Sequence, residues 1–243
     1  MTAMTLRITA LELPPEALIP RSPGDLLDPL NPEESKNAPK ALFVAGHSEW
    51  LLRSPKVAIV GSRKASDAGL RRASKLARIL TAHDVTVVSG LAEGIDRAAH
   101  EAAVEAGGRT IAVIGTPLSE AYPSKHRELQ ARLMRDHLVV SQFPVGYPTT
   151  RKNFPLRNRT MALISDASVI VEAGEGSGSL SQGWEALRLG RPLFLMKSIL
   201  DSSDLIWPKT MLEYGAMILE SSEDLFDHLP EPMQVEDVLA VLA

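Results

Sequence analysis

The 243-residue chain contains no cysteine, which excludes disulfides, thiolate metal sites, iron–sulfur clusters and a cysteine nucleophile. Aromatic residues make up only 5% of it, so a ring set among polar residues stands out. No apolar run approaches the ~20 residues of a membrane span, and the first 30 residues lack a basic start followed by an apolar stretch. A cytoplasmic protein with no membrane segment is expected. A metal would need His, Asp or Glu, and neither a metal nor a cofactor is expected.

What is present is an ordinary globular composition, 44% hydrophobic and 23% charged, with an uneven distribution of charge. Residues 1–50 hold 4 Lys and Arg against 7 Asp and Glu, net −3. Residues 51–199 hold 21 against 13, net +8, and residues 200–243 hold 1 against 10, net −9. A basic body suits a polyanion, because Lys and Arg release counterions from phosphates; charges spread evenly over a solvated surface are the alternative.

Residues 1–50 read as an extended, proline-rich lead-in with one short edge strand at 41–45. From residue 56, apolar runs alternate with amphipathic stretches. Strands are predicted at 56–60, 85–88, 110–114, 138–141, 167–171 and 192–196, and helices over about 67–83, 95–105, 125–135, 157–163 and 181–189. The runs are continuous rather than alternating, as in a parallel sheet covered on both faces. The fold class is therefore α/β, a doubly wound, mostly parallel, extended Rossmann-like sheet over residues 51–220. A last strand at 216–219 precedes an acidic helical tail, 221–243, with Leu225, Leu239 and Leu242 as anchors.

In such a sheet, ligands bind beyond the carboxyl ends of the strands. The first of these loops, Gly61-Ser62-Arg63-Lys64, combines a tight turn, a helix start and two cations, the composition of a phosphate cradle. The second, from Ser89 and Gly90 to Gly94, opens a helix that carries Asp96 and His100. Asp96 is expected to order the loop by accepting N–H bonds; with His100 four residues on, it could also form a base and its orienter. The segment Arg151-Lys152-Asn153-Phe154-Pro155-Leu156-Arg157-Asn158-Arg159 surrounds one ring with four cations, and Pro155 and Asn153 argue for a loop. That pattern suits single-stranded nucleic acid, with cations for phosphates and a ring on which a base stacks. Glu172-Ala173-Gly174-Glu175-Gly176-Ser177-Gly178-Ser179 forms an anion nest at a helix start. Its two glutamates would repel a phosphate unless they turn away.

Taken in order, Lys56-Val-Ala-Ile-Val-Gly-Ser-Arg63, Val87-Val-Ser-Gly-Leu-Ala-Glu-Gly-Ile-Asp96, Asn153-Phe-Pro-Leu-Arg-Asn-Arg159 and Ser177-Gly-Ser-Leu180 resemble the DNA-processing protein A family over about residues 40–220. The resemblance implies a non-enzymatic single-stranded DNA-binding protein that loads a RecA-type recombinase during natural transformation and forms a homodimer. It implies phosphate binding by Arg63, Arg151 and Lys152, base stacking by Phe154, and a pocket shaped by the loops at Gly61, Gly90 and Ser177–Ser179. The full candidate DNA-binding set is Gly61, Ser62, Arg63, Lys64, Ser89, Gly90, Gly94, Arg151, Lys152, Asn153, Phe154, Arg157, Arg159, Ser177, Gly178 and Ser179. Asp96, His100 and Asn158 order loops.

Against the family's pattern, neither a SAM-like helical module nor a winged-helix module is expected within these residues, and Leu195-Met196-Lys197-Ser198 stands where a Val-Pro-Gly turn is usual. Two other readings of the fold stay open. One is a phosphoribohydrolase-like enzyme with Glu172 or Glu185 as its acid, although the Pro-Gly-Gly-x-Gly-Thr-x-x-Glu signature is absent. The other is a nucleotide-signal sensor.

Overall fold

A computed structural model of the chain describes residues 9–231 except 28, 53, 54 and 203. In chain order its elements begin with β1 (Thr9–Ala10), α1 (Pro23–Leu26), α2 (Pro32–Asn37), β2 (Phe43–Gly46), β3 (Lys56–Gly61), α3 (Asp67–Ala82), β4 (Thr86–Ser89) and α4 (Ile95–Glu105). They continue with β5 (Thr110–Ile114), β6 (Glu120–Ala121), α5 (Arg127–Asp136), β7 (Leu138–Ser141), α6 (Asn153–Ile164), β8 (Ala167–Glu172) and α7 (Gly178–Arg188). The last are β9 (Leu193–Met196), α8 (Trp207–Glu213), β10 (Met217–Leu219) and α9 (Ser222–Phe226).

Eight strands form one sheet in the order β10-β9-β8-β3-β4-β5-β7-β2. All neighbours are parallel except β2, which pairs antiparallel with β7 through Phe43↔Ser141 to Gly46↔Leu138. The continuous apolar runs are explained by cover on both faces. Val57, Ile59, Val87 and Val169 point into one core with Ala73, Leu76, Ala77 and Leu80 of α3. Ala58, Val60, Val88 and Ile170 point into another with Met161 to Ile164 of α6 and Ala186 of α7. Each fully buried branched side chain contributes ~1.5–3 kcal/mol. Helix α3 starts where the Ser66 side chain accepts from the Gly69 N–H at 3.0 Å, and it buries positions spaced three and four apart.

The proline-rich lead-in is not extended throughout. Prolines open three short helical turns, at Pro15–Leu18, α1 and α2, and the last is closed by a capping box between Asn31 and Glu34. Proline's fixed φ suits a first helical turn, and turns of four to six residues are too short to show a 3.6-residue period. The segment also packs inward, with Ala17, Leu26 and Leu27 buried. At the other end, Leu225 is buried in α9, whereas Leu239 and Leu242 lie outside the described residues.

Candidate nucleic-acid interface

The chain runs from β3 to β4, β5 and β7 in one direction and returns to β8, β9 and β10 on the other side of β3. The loops after β3 and β8 therefore diverge and leave a crevice at the carboxyl edge. It encloses about 560 Å³ between Gly61–Lys64, the start of α6 and the loop 174–179. A Cβ on Gly61 would stand 2.6 Å from Ile95 Cγ1 and 2.7 Å from the Glu172 carbonyl oxygen, so glycine is required for the strand end to pack. Gly94 holds φ +74°, and after it the Ile95 N–H donates to the Ser62 carbonyl at 3.2 Å, tying the second loop to the first.

Arg63 and Lys64 stand exposed at the tip of the first loop. The Arg63 guanidinium carbon lies 5.5 Å from the centre of the half-buried Phe154 ring, a cation–π arrangement. Phe154 in turn meets Tyr122 at 5.2 Å, and a Cβ on Gly115 would stand 2.8 Å from Phe154 Cδ1. Arg63, Tyr122, Phe154 and Gly115 also border a narrow recess of about 40 Å³ next to the crevice. Tyr122 escaped the sequence reading because its loop, after β5, carries neither a basic run nor a glycine cluster. Its one signal is its place beyond a strand's carboxyl end.

The segment 151–159 is not a loop. Helix α6 starts at Asn153 and holds Pro155 in its first turn, where a missing N–H costs nothing. Helical geometry then separates the cations. Arg151 and Lys152 are exposed just before the helix, but Arg157 is only 5% exposed. Its Nη1 donates to the Val113 carbonyl at 3.3 Å and lies 4.0 Å from Asp96 Oδ2. A Cβ on Gly90 would overlap this guanidinium, so Gly90 makes room for Arg157. Burial lowers the Arg157 pKa, opposed by Asp96, and burial raises the Asp96 pKa, opposed by Arg157.

Four of the expected DNA contacts have protein partners in the fold. Arg157 is a buried structural cation. Asn153 is buried, with Thr150 donating to its Oδ1 at 2.9 Å. Ser89 is buried and donates to the Ile59 carbonyl at 2.6 Å. Arg159, partly exposed, pairs with Glu185 at 3.3 Å.

The ordering residues behave more as expected. The Ala92 N–H donates to Asp96 Oδ2 at 3.3 Å, and Asn158 Nδ2 donates to the Gly178 carbonyl at 3.1 Å, fixing the glycine-rich loop. His100 is not oriented by Asp96. Its Nδ1 lies 2.7 Å from Thr110 Oγ1 with no exposed surface, and burial pushes its pKa down to about 3. A neutral, enclosed imidazole is no base for a ligand in the crevice.

The glutamates around the crevice are committed to other partners. Glu172 accepts from the Ser66 N–H at 2.7 Å and from its hydroxyl at 2.5 Å. Glu175 lines the crevice, but its Oε1 accepts from the Ile206 and Trp207 N–H groups at 2.6 and 3.3 Å. Glu185 lies between Arg159 and Arg188. Opposite Arg63, Gly176 takes φ +68° and the Ser177 and Ser179 hydroxyls lie 2.8 Å apart at the start of α7. Serine hydroxyls on one wall and cations on the other give the crevice a lining of a kind that suits an anion. Among the described residues there is no cluster of His, Asp and Glu suited to a metal, and no helix is long and apolar enough to cross a membrane.

Residues 25–230 match the model of the DNA recombination-mediator protein A family. DNA processing protein DprA of Streptococcus pneumoniae is 40% identical over 81% of this chain and 69% of its own length. Other curated relatives are matched over about half to two thirds of theirs. The X-ray structure of the S. pneumoniae protein superposes with a TM-score of 0.76 at 37% identity, covering 88% of this chain and 75% of that one. DNA processing protein A from Helicobacter pylori, described for its single-stranded DNA binding mode, does so at 0.70 and 27% identity, over 91% and 95%. The crevice thus sits in a chain that belongs to the DNA recombination-mediator protein A family.

Proposed function

We propose that the chain binds single-stranded DNA along the carboxyl edge of its sheet and acts, without catalysing a reaction, as a recombination mediator during DNA uptake in the cytoplasm. The observation that carries this reading is the Arg63 guanidinium over the Phe154 ring at the mouth of a crevice whose glutamates are hydrogen-bonded elsewhere. Arg63, Lys64, Arg151 and Lys152 would hold phosphates, Phe154 and Tyr122 would offer faces for bases, and the 176–179 loop would meet a phosphate with its serine hydroxyls. The H. pylori relative's single-stranded DNA binding supports the choice of ligand.

The enzyme reading has less support, because both candidate acids, Glu172 and Glu185, are held by structural partners. We further propose a homodimer through the exposed Trp184, Ile206 and Tyr214, where the two aromatic rings meet edge to face at 5.4 Å, and loading of a RecA-type recombinase as the partner step. Fluorescence anisotropy with a labelled oligonucleotide and with AMP, scored also for released base, tests the function. Tight oligonucleotide binding without base release is expected; release of base, or binding of AMP alone, contradicts it.

A further inference from the structure

Helix α3 leaves the Arg63–Lys64 loop and runs down the flank of the sheet with Arg71, Arg72 and Lys75 in its first three turns. Arg71 and Lys75 are exposed and Arg72 is partly so. Among the described residues none of the three, nor Lys64, forms an ion pair, and none is among the residues with a further unnamed partner. The contrast with nearby cations is clear: Arg78 on the same helix pairs with Glu105 at 3.2 Å, and Arg97 on α4 pairs with Glu101 at 2.8 Å.

The placement is unfavourable for the helix itself. Arg71 and Lys75 are like charges four residues apart, Arg72 and Lys75 are three apart, and cations toward a helix N-terminus oppose its dipole. Asp67 is the one acidic residue in the first turn. A polyanion laid across this face would relieve all three conflicts. Arg71 and Lys75 stand ~6 and ~12 Å along the helix axis from its start, close to the loop that carries Arg63 and Lys64. Arg72 and Lys75 also border a groove of about 540 Å³, and the strand would pass along its α3 rim rather than through it. Its far wall carries Asp201, Glu220 and Glu223, and Lys197 there is already paired with Glu220 at 3.2 Å.

We infer that a single strand seated in the crevice continues over the outer face of α3, with its phosphates on Lys64, Arg71, Arg72 and Lys75. This rests on the crevice being the single-stranded DNA site, and the test separates the two claims. Salt titrations with oligo-dT of 6 and of 30 nucleotides compare wild type, Arg63→Glu, and the triple variant Arg71→Gln, Arg72→Gln, Lys75→Gln. The triple variant should bind the short strand like wild type. On the long strand it should lose roughly tenfold or more in affinity, and its log–log salt slope should be shallower by about 2, since each single-strand phosphate contact contributes ~0.7.

An unchanged long-strand slope, or equal losses on both strands, overturns the α3 path while Arg63→Glu still reports on the crevice. Arg63→Glu binding both strands like wild type would instead remove the crevice reading. If the triple variant binds both strands normally but changes its state of association, the stripe is a protein contact and the inference fails.

Discussion

Arg63 and Arg157 border the same crevice and differ in almost everything that determines what an arginine does. Arg63 stands exposed above a ring and, among the described residues, forms no ion pair with a carboxylate, while Arg157 lies below the surface between Asp96, the Val113 carbonyl and the space left by Gly90. An exposed guanidinium gives up little hydration until a phosphate arrives, so its energy is available for binding. A buried one is already committed to joining α4, β5 and the loop after β4, and removing it leaves an uncompensated carboxylate. On the proposed function, the rim meets the ligand and the floor holds the rim.

The largest effect should come from the floor. Arg157→Ala breaks a buried pair and is expected to cost ~3–5 kcal/mol of folding stability, read by urea unfolding; a loss below ~1 kcal/mol would place Arg157 with Arg63. Next, Arg63→Glu should leave the unfolding midpoint unchanged and weaken oligonucleotide binding roughly tenfold or more at low salt. Phe154→Ala should cost ~1–3 kcal/mol of binding, with the salt slope retained, because stacking releases no counterions. A steeper or shallower slope in that variant would mean the ring acts by positioning Arg63.

A pH series sharpens the contrast on the floor. The folded pKa of His100 is depressed to about 3 from an ordinary 6.5, so its contribution to stability is present above pH 6.5 and is lost as pH falls toward 3. Stability should decline with acid over that window, and the decline should flatten in His100→Gln. The smallest effect belongs to Arg159→Ala, since Arg159 already faces Glu185: oligonucleotide affinity should change less than about twofold, within the ~0.5 kcal/mol typical of surface changes.

Much of the fold was legible because the central strands are largely continuous apolar runs rather than alternating ones, the pattern expected of a parallel sheet covered on both faces. The glycine-bearing loops after β3, β4 and β8 were legible for a related reason: glycine at a strand's carboxyl end marks close backbone approach. Burial within a basic segment was not. Four cations in nine residues look alike in sequence, and only helical rotation of α6 sends Arg157 inward, Arg159 sideways to Glu185, and leaves Arg151 and Lys152 outside. Pro155 argued for a loop because proline's tolerance in a first turn depends on where the helix starts. The commitments of Glu172 and Glu175 lie beyond sequence reading too, since their partners are 106 and 31 residues away.

The measurement that tests the account most directly is oligonucleotide affinity as a function of salt for wild type, Arg63→Glu and Arg157→Lys, each checked for folding first. The account predicts a steep linear log–log dependence in wild type, a shallower one in Arg63→Glu, and an unaltered slope in Arg157→Lys. A slope that Arg157→Lys reduces and Arg63→Glu leaves intact would contradict it.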